Sequence, residues 1–254
     1  MSNMTEIEIK YIFSAGFRCY SPDTLKQYGL RPFSGPFDYL LIDFESMLKI
    51  VNEKMSPLLK DIVVFNKQKQ CTYTIKQLNK LNETHVCYMA HDYNRHDLLI
   101  NINFLDDVLS GNMYDWHKIC VFIHHDIRNK EVYDSFIRRS ARLNTILEKY
   151  SEKTCLFHIT RILTINIEEY MNNLIKLKLL YSIRAYIVVI VCCENLEDTA
   201  IFKEDILCIV KKVPTYEMQI KQHEIDNLLD YTSQIAIMKK YFNFQLVELS
   251  DCTQ

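Results

Sequence analysis

The chain has 254 residues, with 30 Lys and Arg against 32 Asp and Glu and a formal net charge of −2. That length can bury a substantial core, and 48% hydrophobic with 24% charged residues is a globular balance that excludes an intrinsically disordered chain. The charge supplies no field to gather nucleic acid or an acidic membrane, so neither is an expected partner.

Four Gly and five Pro leave little material for flexible linkers. A single α/β domain over residues 1–254 is expected, with 50–115 as an insertion or cap. The longest apolar run, Ala185 to Cys193, is nine residues, and about 20 are needed to cross a bilayer. The first apolar stretch, Tyr11 to Phe17, follows acidic residues and is too short for a signal core. Nine cysteines form no Cys-x-x-Cys pair, so the spacing of a zinc ribbon or a dithiol redox motif is missing. A reduced, cytoplasmic setting is expected, with no metal and no cofactor.

In chain order, Ile7 to Phe13 reads as a strand running into Ser14-Ala15-Gly16. Ser21-Pro22-Asp23 reads as a helix start with Ser at the cap, ending near Gly29. Leu30 to Asp38 is a loop, and Tyr39 to Asn52 has the spacing of a buried helix. Short strands are expected at Asp61–Phe65 and His85–Ala90, and a helix at Leu98–Leu109. Ile119 to Ile123 is a buried strand. Glu131 to Tyr150 is a long helix with Val132, Phe136, Leu143, Ile146 and Leu147 on one face. Strands at Thr154–Ile159 and Ala185–Cys193 flank a helix at Ile167–Tyr181. A helix at Glu217–Leu229 and a strand at Phe242–Leu249 close the chain. This alternation predicts a mainly parallel, Rossmann-like sheet with helices on both faces.

Ligands of open α/β sheets bind beyond the carboxyl ends of the strands. Those ends carry Ser14, Gly16, Arg18 and Cys19; His124, His125 and Asp126; His158, Thr160 and Arg161; and Cys192, Cys193, Glu194 and Asn195. Cys19 stands just before a helix start, where the positive end of the helix favours a thiolate. A His and a carboxylate would complete a nucleophilic set; the alternative is a small buried hydrophobe under a turn. His125-Asp126 is the candidate base, with His91-Asp92 and His96-Asp97 as rivals. Arg138, Arg139 and Arg142 share one helix, and Arg138 and Arg142 are four apart. They suit a phosphate or carboxylate, or else a solvated face paired with Glu131, Asp134 and Glu148. No phosphate-binding Gly-rich loop occurs, and Ser14-Ala15-Gly16 is not a dinucleotide fingerprint. Trp116 and the tyrosines do not interleave with a basic stripe.

Three stretches together resemble a family of papain-like cysteine peptidases without assigned function, found in bacteria and large DNA viruses. Ser14-Ala15-Gly16-Phe17-Arg18-Cys19 is similar to its Ser-Leu-Gly-x-x-Cys opening. Leu30 to Tyr39, with Pro36-Phe37-Asp38-Tyr39, is similar to its Pro-Phe-Asp-Trp signature. His125-Asp126, then Tyr133, Phe136, Arg138-Arg139 and Arg142-Leu143, follow its His-Asp step and Arg-Arg-x-x-Arg helix. Ala15 and Tyr39 depart from the family's Leu and Trp, and residues 50–118 match poorly, which leaves His91-Asp92 open as the counterpart of His125-Asp126. The resemblance spans about residues 9–160. It implies a Cys–His hydrolase with Cys19 as nucleophile, His125 as base and Asp38 or Asp126 as orienter. It also implies a helical half and an antiparallel half, against the parallel α/β pattern read from the elements. Abundant Ile, Lys, Asn and Tyr fit an AT-rich viral genome, and the host cytoplasm would then be the compartment.

Three readings follow: a thiol hydrolase of a peptide, amide or ester; a Rossmann-like transferase or hydrolase of a phosphorylated or nucleotide-sugar ligand, with Ser14, Gly16, Arg18, Arg138, Arg142 and Arg161 as its site; and a non-catalytic host-modulating protein with a protein partner.

Overall fold

The computed structural model describes residues 7–16, 20–42, 44–56, 58–59, 129–162, 164–213 and 230–248, and the backbone of 62–66, 71–74, 98–101 and 120–121. The strands in chain order are β1 (Ile7–Ile9), β2 (Tyr11–Ser14), β3 (Leu41–Ile42), β4 (Ile62–Asn66), β5 (Cys71–Thr74), β6 (Leu98–Asn101), β7 (Cys120–Val121), β8 (Thr154–Arg161), β9 (Tyr186–Cys193), β10 (Thr199–Lys203), β11 (Ile206–Lys212) and β12 (Phe242–Phe244). The helices are α1 (Tyr20–Gln27), α2 (Phe44–Asn52), α3 (Lys130–Tyr150), α4 (Ile167–Leu180) and α5 (Thr232–Tyr241). Two compact units result. Unit 1 comprises Met1–Ala15, Tyr20–Gly35 and Thr145–Gln254; unit 2 comprises Gly16–Cys19 and Pro36–Asn144. No helix among the described residues is long and apolar enough to cross a membrane.

Unit 1 is built on a five-stranded sheet in the order β10-β11-β9-β8-β2. β2, β8, β9 and β11 are parallel, and β10 pairs antiparallel with β11 at one edge. The mainly parallel expectation therefore holds for this sheet, although it is mixed. β2 stands at the opposite edge, so the strand-order reversal of a doubly wound sheet does not occur between β2, β8 and β9. The apolar run Ile187 to Cys193 is buried at every residue, as a strand covered on both faces should be. The helical periodicity of α3 also reads through: Phe136, Leu143 and Ile146 are buried, and Val132 and Leu147 are half-buried.

Unit 2 holds a five-stranded sheet in the order β3-β7-β6-β4-β5, antiparallel throughout. This corrects two sequence expectations. Leu98–Asn101 is a strand where a helix was expected, because β4 offers it a ladder in which Ile62 pairs with Asn101 and Phe65 with Leu98; pairing overrides local propensity. The strand expected at Ile119–Ile123 is described over Cys120–Val121, where it pairs antiparallel with β3 and β6 and not with the parallel sheet.

Other differences have local causes. The expected strand Ile7–Phe13 breaks at Lys10, whose N–H goes to Lys153 O at 2.9 Å, and β1 leaves to pair with β12. Residues 41–42 form β3, so α2 starts only at Phe44. The β10–β11 hairpin escapes the sequence reading because its turn has no Gly: Glu204 and Asp205 take φ of 49° and 59°, a conformation usually marked by Asn-Gly. The buried Lys178 holds this turn, donating from Nζ to Glu204 O and to the Asp205 carboxylate, both at 3.0 Å. α5 was not anticipated, the last strand ends at Phe244, and the expected elements at His85–Ala90 and Glu217–Leu229 lie outside the described residues.

α4 begins on a side-chain cap. Asn166 Oδ1 accepts from the N–H groups of Glu168 at 3.1 Å and Glu169 at 3.2 Å, and both acids lie in the first turn, where the helix dipole favours them. Asn166→Ala is expected to cost about 1 kcal/mol. In urea denaturation the midpoint should fall with the slope unchanged; an unchanged midpoint would show that the cap contributes nothing.

Candidate functional site

The carboxyl ends of β2, β8, β9 and β11 share one edge of the unit 1 sheet. The β2–β8 ladder stops at this edge. Ser14 pairs with Phe157, and Ala15 N–H donates to Phe157 O at 2.8 Å. A continuing parallel ladder would join Ile159 N–H to Ala15 C=O. Each group finds a side chain instead. Ile159 N–H donates to Ser21 Oγ at 3.0 Å, and Ala15 C=O stands 3.2 Å from His158 Nδ1. Ser21 is thus inside α1, which begins at Tyr20, and serves the sheet; this corrects its reading as the helix cap.

His158 is 2% exposed. Burial pulls its pKa from 6.5 down to about 4, partly opposed by the hydrogen bond to Ala15 O. The neutral ring with Nδ1–H donating to that carbonyl is the form that fits.

Arg161 ends β8 beyond His158. Its guanidinium carbon lies 4.6 Å from the centroid of the Tyr20 ring, a cation–π distance. Nε and Nη2 are withdrawn from solvent and have no hydrogen-bond partner among the described residues. Across the sheet Arg161 registers with Cys192, and Cys192 with Lys211, in one row. The Cys192 thiol is 3.7 Å from the Tyr231 hydroxyl, and Lys211 Nζ lies 5.7 Å from the Tyr231 ring centroid while donating to Asp230 O at 2.7 Å. Burial pushes the Cys192 thiol up, with Tyr231 and Arg161 pulling the other way; burial also raises the Tyr231 hydroxyl well above its usual range. Tyr20 and Tyr231 escaped the sequence reading. The pattern Asp230-Tyr231-Thr232 was a usable helix-start signal, since Asp230 Oδ1 accepts from Thr232 N–H at 2.9 Å.

Ser14, at the end of β2, is buried, with no partner for its Oγ among the described residues. It pairs with Phe157, four positions before Arg161, so the two occupy different levels of the edge.

In unit 2, Asp38 is 1% exposed and lies in the turn Pro36–Tyr39, where Tyr39 takes φ 60° and Leu40 N–H returns to Phe37 O at 3.2 Å. Gly16 has φ +87°, and a Cβ there would meet Ile42 Cγ2 at 2.1 Å, so only Gly fits. On α3, Arg138 is exposed, whereas Arg139 and Arg142 are half-buried. Arg139 lies 5.5 Å over the Phe136 ring. The partly sheltered cations are therefore Arg139 and Arg142, one turn apart, and not the pair Arg138 and Arg142. Arg18, Cys19, His91, Asp92, His96, Asp97, Trp116, His117, His124, His125 and Asp126 lie outside the described residues. The strand leading to His125 belongs to the antiparallel sheet through β7, which corrects its assignment to the carboxyl edge of the parallel sheet.

A family model described as "Putative papain-like cysteine peptidase" matches residues 10–195. The chain belongs to this family. The match contains the Ser14–Cys19 stretch, the Pro36-Phe37-Asp38 turn, His125-Asp126 and the arginines of α3. No curated protein and no solved structure matches the chain.

The state of His158 makes a pH prediction. Between 6.5 and about 4 the unfolded chain binds a proton at this ring that the folded chain does not. Stability must therefore fall as pH is lowered through that window, by about 3 kcal/mol at its lower end. His158→Gln can still donate to Ala15 O and removes the titration. Urea melts at pH 7 and pH 4.5 should show a smaller pH loss in H158Q than in the parent. Equal losses would refute the buried neutral state.

Proposed function

We propose that the protein is a thiol hydrolase that cleaves a peptide, amide or ester through Cys19, with His125 as base and Asp126 or Asp38 as orienter. The observation that carries this reading is family membership over residues 10–195, a span that includes all four residues. The ranges of unit 2, Gly16–Cys19 and Pro36–Asn144, also contain all four, although Cys19 is flanked in sequence by stretches of unit 1. A further support is the start of α1 at Tyr20, the residue after Cys19: the amino end of a helix favours a thiolate.

The reaction would run in two halves. His125 takes the Cys19 proton, and the sulfur attacks the substrate carbonyl carbon, forming a C–S bond. Collapse of the tetrahedral species breaks the C–N or C–O bond, and the imidazolium gives its proton to the leaving group. Water, activated by the same imidazole, then hydrolyses the thioester, which releases the acid and restores the thiol. A carboxylate accepting from the other ring nitrogen would fix the tautomer.

The other thiols sharpen the test. Cys155, Cys192, Cys193 and Cys208 are free and buried, and burial raises all four, Cys208 to about 12. They should be inert to alkylation in the folded chain. Under limiting iodoacetamide at pH 6.5, peptide mapping should find Cys19 modified first among the nine cysteines. Cys19→Ala should abolish labelling by a thiol-directed acyl probe, and His125→Ala should slow it by about 100-fold or more. Uniform, slow alkylation of Cys19 would end the proposal.

A further inference from the structure

The Arg161 guanidinium has a chemistry that the thiol reading does not use. Nε–H and the neighbouring Nη2–H lie along one edge of the guanidinium plane and point in parallel. That edge is the one that receives two oxygens of a carboxylate or phosphate. Here both nitrogens are shielded from water and neither has an acceptor among the described residues. The residue as a whole stays half-exposed. The Tyr20 ring backs the plane at 4.6 Å, which fixes the orientation of the fork without consuming its donors. The neighbours in the row do not neutralise it: Cys192 is a thiol held protonated by burial, and the Tyr231 phenol is likewise kept neutral. Lys211, two strands along the same row, stands about 10 Å away at sheet spacing, and its positive charge is offset by the ionised Asp230 beside it. Asp230, beside Lys211, has its Oδ1 already committed to the Tyr28 hydroxyl and the Thr232 N–H, each at 2.9 Å.

We propose that the carboxyl edge of the unit 1 sheet is an oxoanion site centred on the Nε–Nη2 edge of Arg161, taking the carboxylate or phosphate group of a small ligand. Tyr20 is the positioning residue behind the fork. The site is independent of Cys19 chemistry and survives the failure of the thiol reading.

The test uses the full chain at constant ionic strength in sodium chloride, sodium acetate or sodium phosphate. Thermal unfolding should shift upward by about 2–4 °C at ~50 mM in the favoured oxoanion relative to chloride; the acetate and phosphate arms separate the two ligand groups. The Arg161 Nε–H resonance should move in the same titration. Arg161→Gln should lose the shift, and Arg161→Lys should retain less than half, because an ammonium has no parallel pair of donors. Cys19→Ala should keep the full shift. If R161Q does not fold, R161K carries the comparison. An equal shift in the Arg161 variants, or no gain over chloride in either salt, overturns the proposal.

Discussion

The structure turns on the point where β2 leaves the parallel sheet. A ladder that stops inside a core strands one donor and one acceptor, and each buried, unmade hydrogen bond costs about 1–3 kcal/mol. Ser21 Oγ takes the Ile159 N–H, and His158 Nδ1 meets the Ala15 carbonyl. The first bond ties the opening turn of α1 to the end of β8. Tyr20 is thereby brought to Arg161, the last residue of β8. The second bond gives the buried histidine a place in the ladder: its ring supplies a donor that the backbone no longer offers. Serine and histidine, both suggestive in a sequence, are here the terminators of a sheet.

The same edge carries a cation without a matching anion among the described residues. A buried donor that lacks an acceptor is costly whether or not it is charged, and a guanidinium more so. Folds usually answer with a carboxylate. Elsewhere in unit 1 that answer is given: Lys178 meets Asp205, Lys153 meets Glu8 and Lys212 meets Glu197. Arg161 is treated differently, with an aromatic ring on its face and, among the described residues, no acceptor on its edge. The contrast within one unit is the reason to assign the edge to a ligand.

The parts of the fold that were legible in the sequence are those whose signal is local. The unbroken apolar run at β9, the long amphipathic α3 and the Asn166-capped α4 were read to within a residue or two. The antiparallel sheet of unit 2 was not, because its strands are short and are defined by partners distant in the chain, as Leu98–Asn101 is by Ile62–Phe65. The Glu204–Asp205 turn was hidden for a different reason: its left-handed backbone is stabilised by Lys178 from another element, with no glycine to announce it. At the candidate site, strand-end logic found Ser14, Arg161 and Cys192 on parallel strands of one mixed sheet. It misplaced the strand that precedes His125, since nothing in a five-residue apolar run tells which sheet it joins.

The sorting of the cysteines bears on how a reactive thiol could arise in this chain. Four lie buried on β8, β9 and β11 of unit 1, where desolvation penalises the thiolate. Even Cys192, with a guanidinium nearby, stays raised because burial outweighs that attraction. Proximity to a positive charge is thus insufficient in this protein. A nucleophilic thiol needs solvent access or dense hydrogen bonding to the thiolate as well. A thiol at a chain entry to a helix can have both, since the first N–H groups of a helix lack intrahelical acceptors. Cys19, immediately before Tyr20, differs from the four buried thiols in its place in the chain.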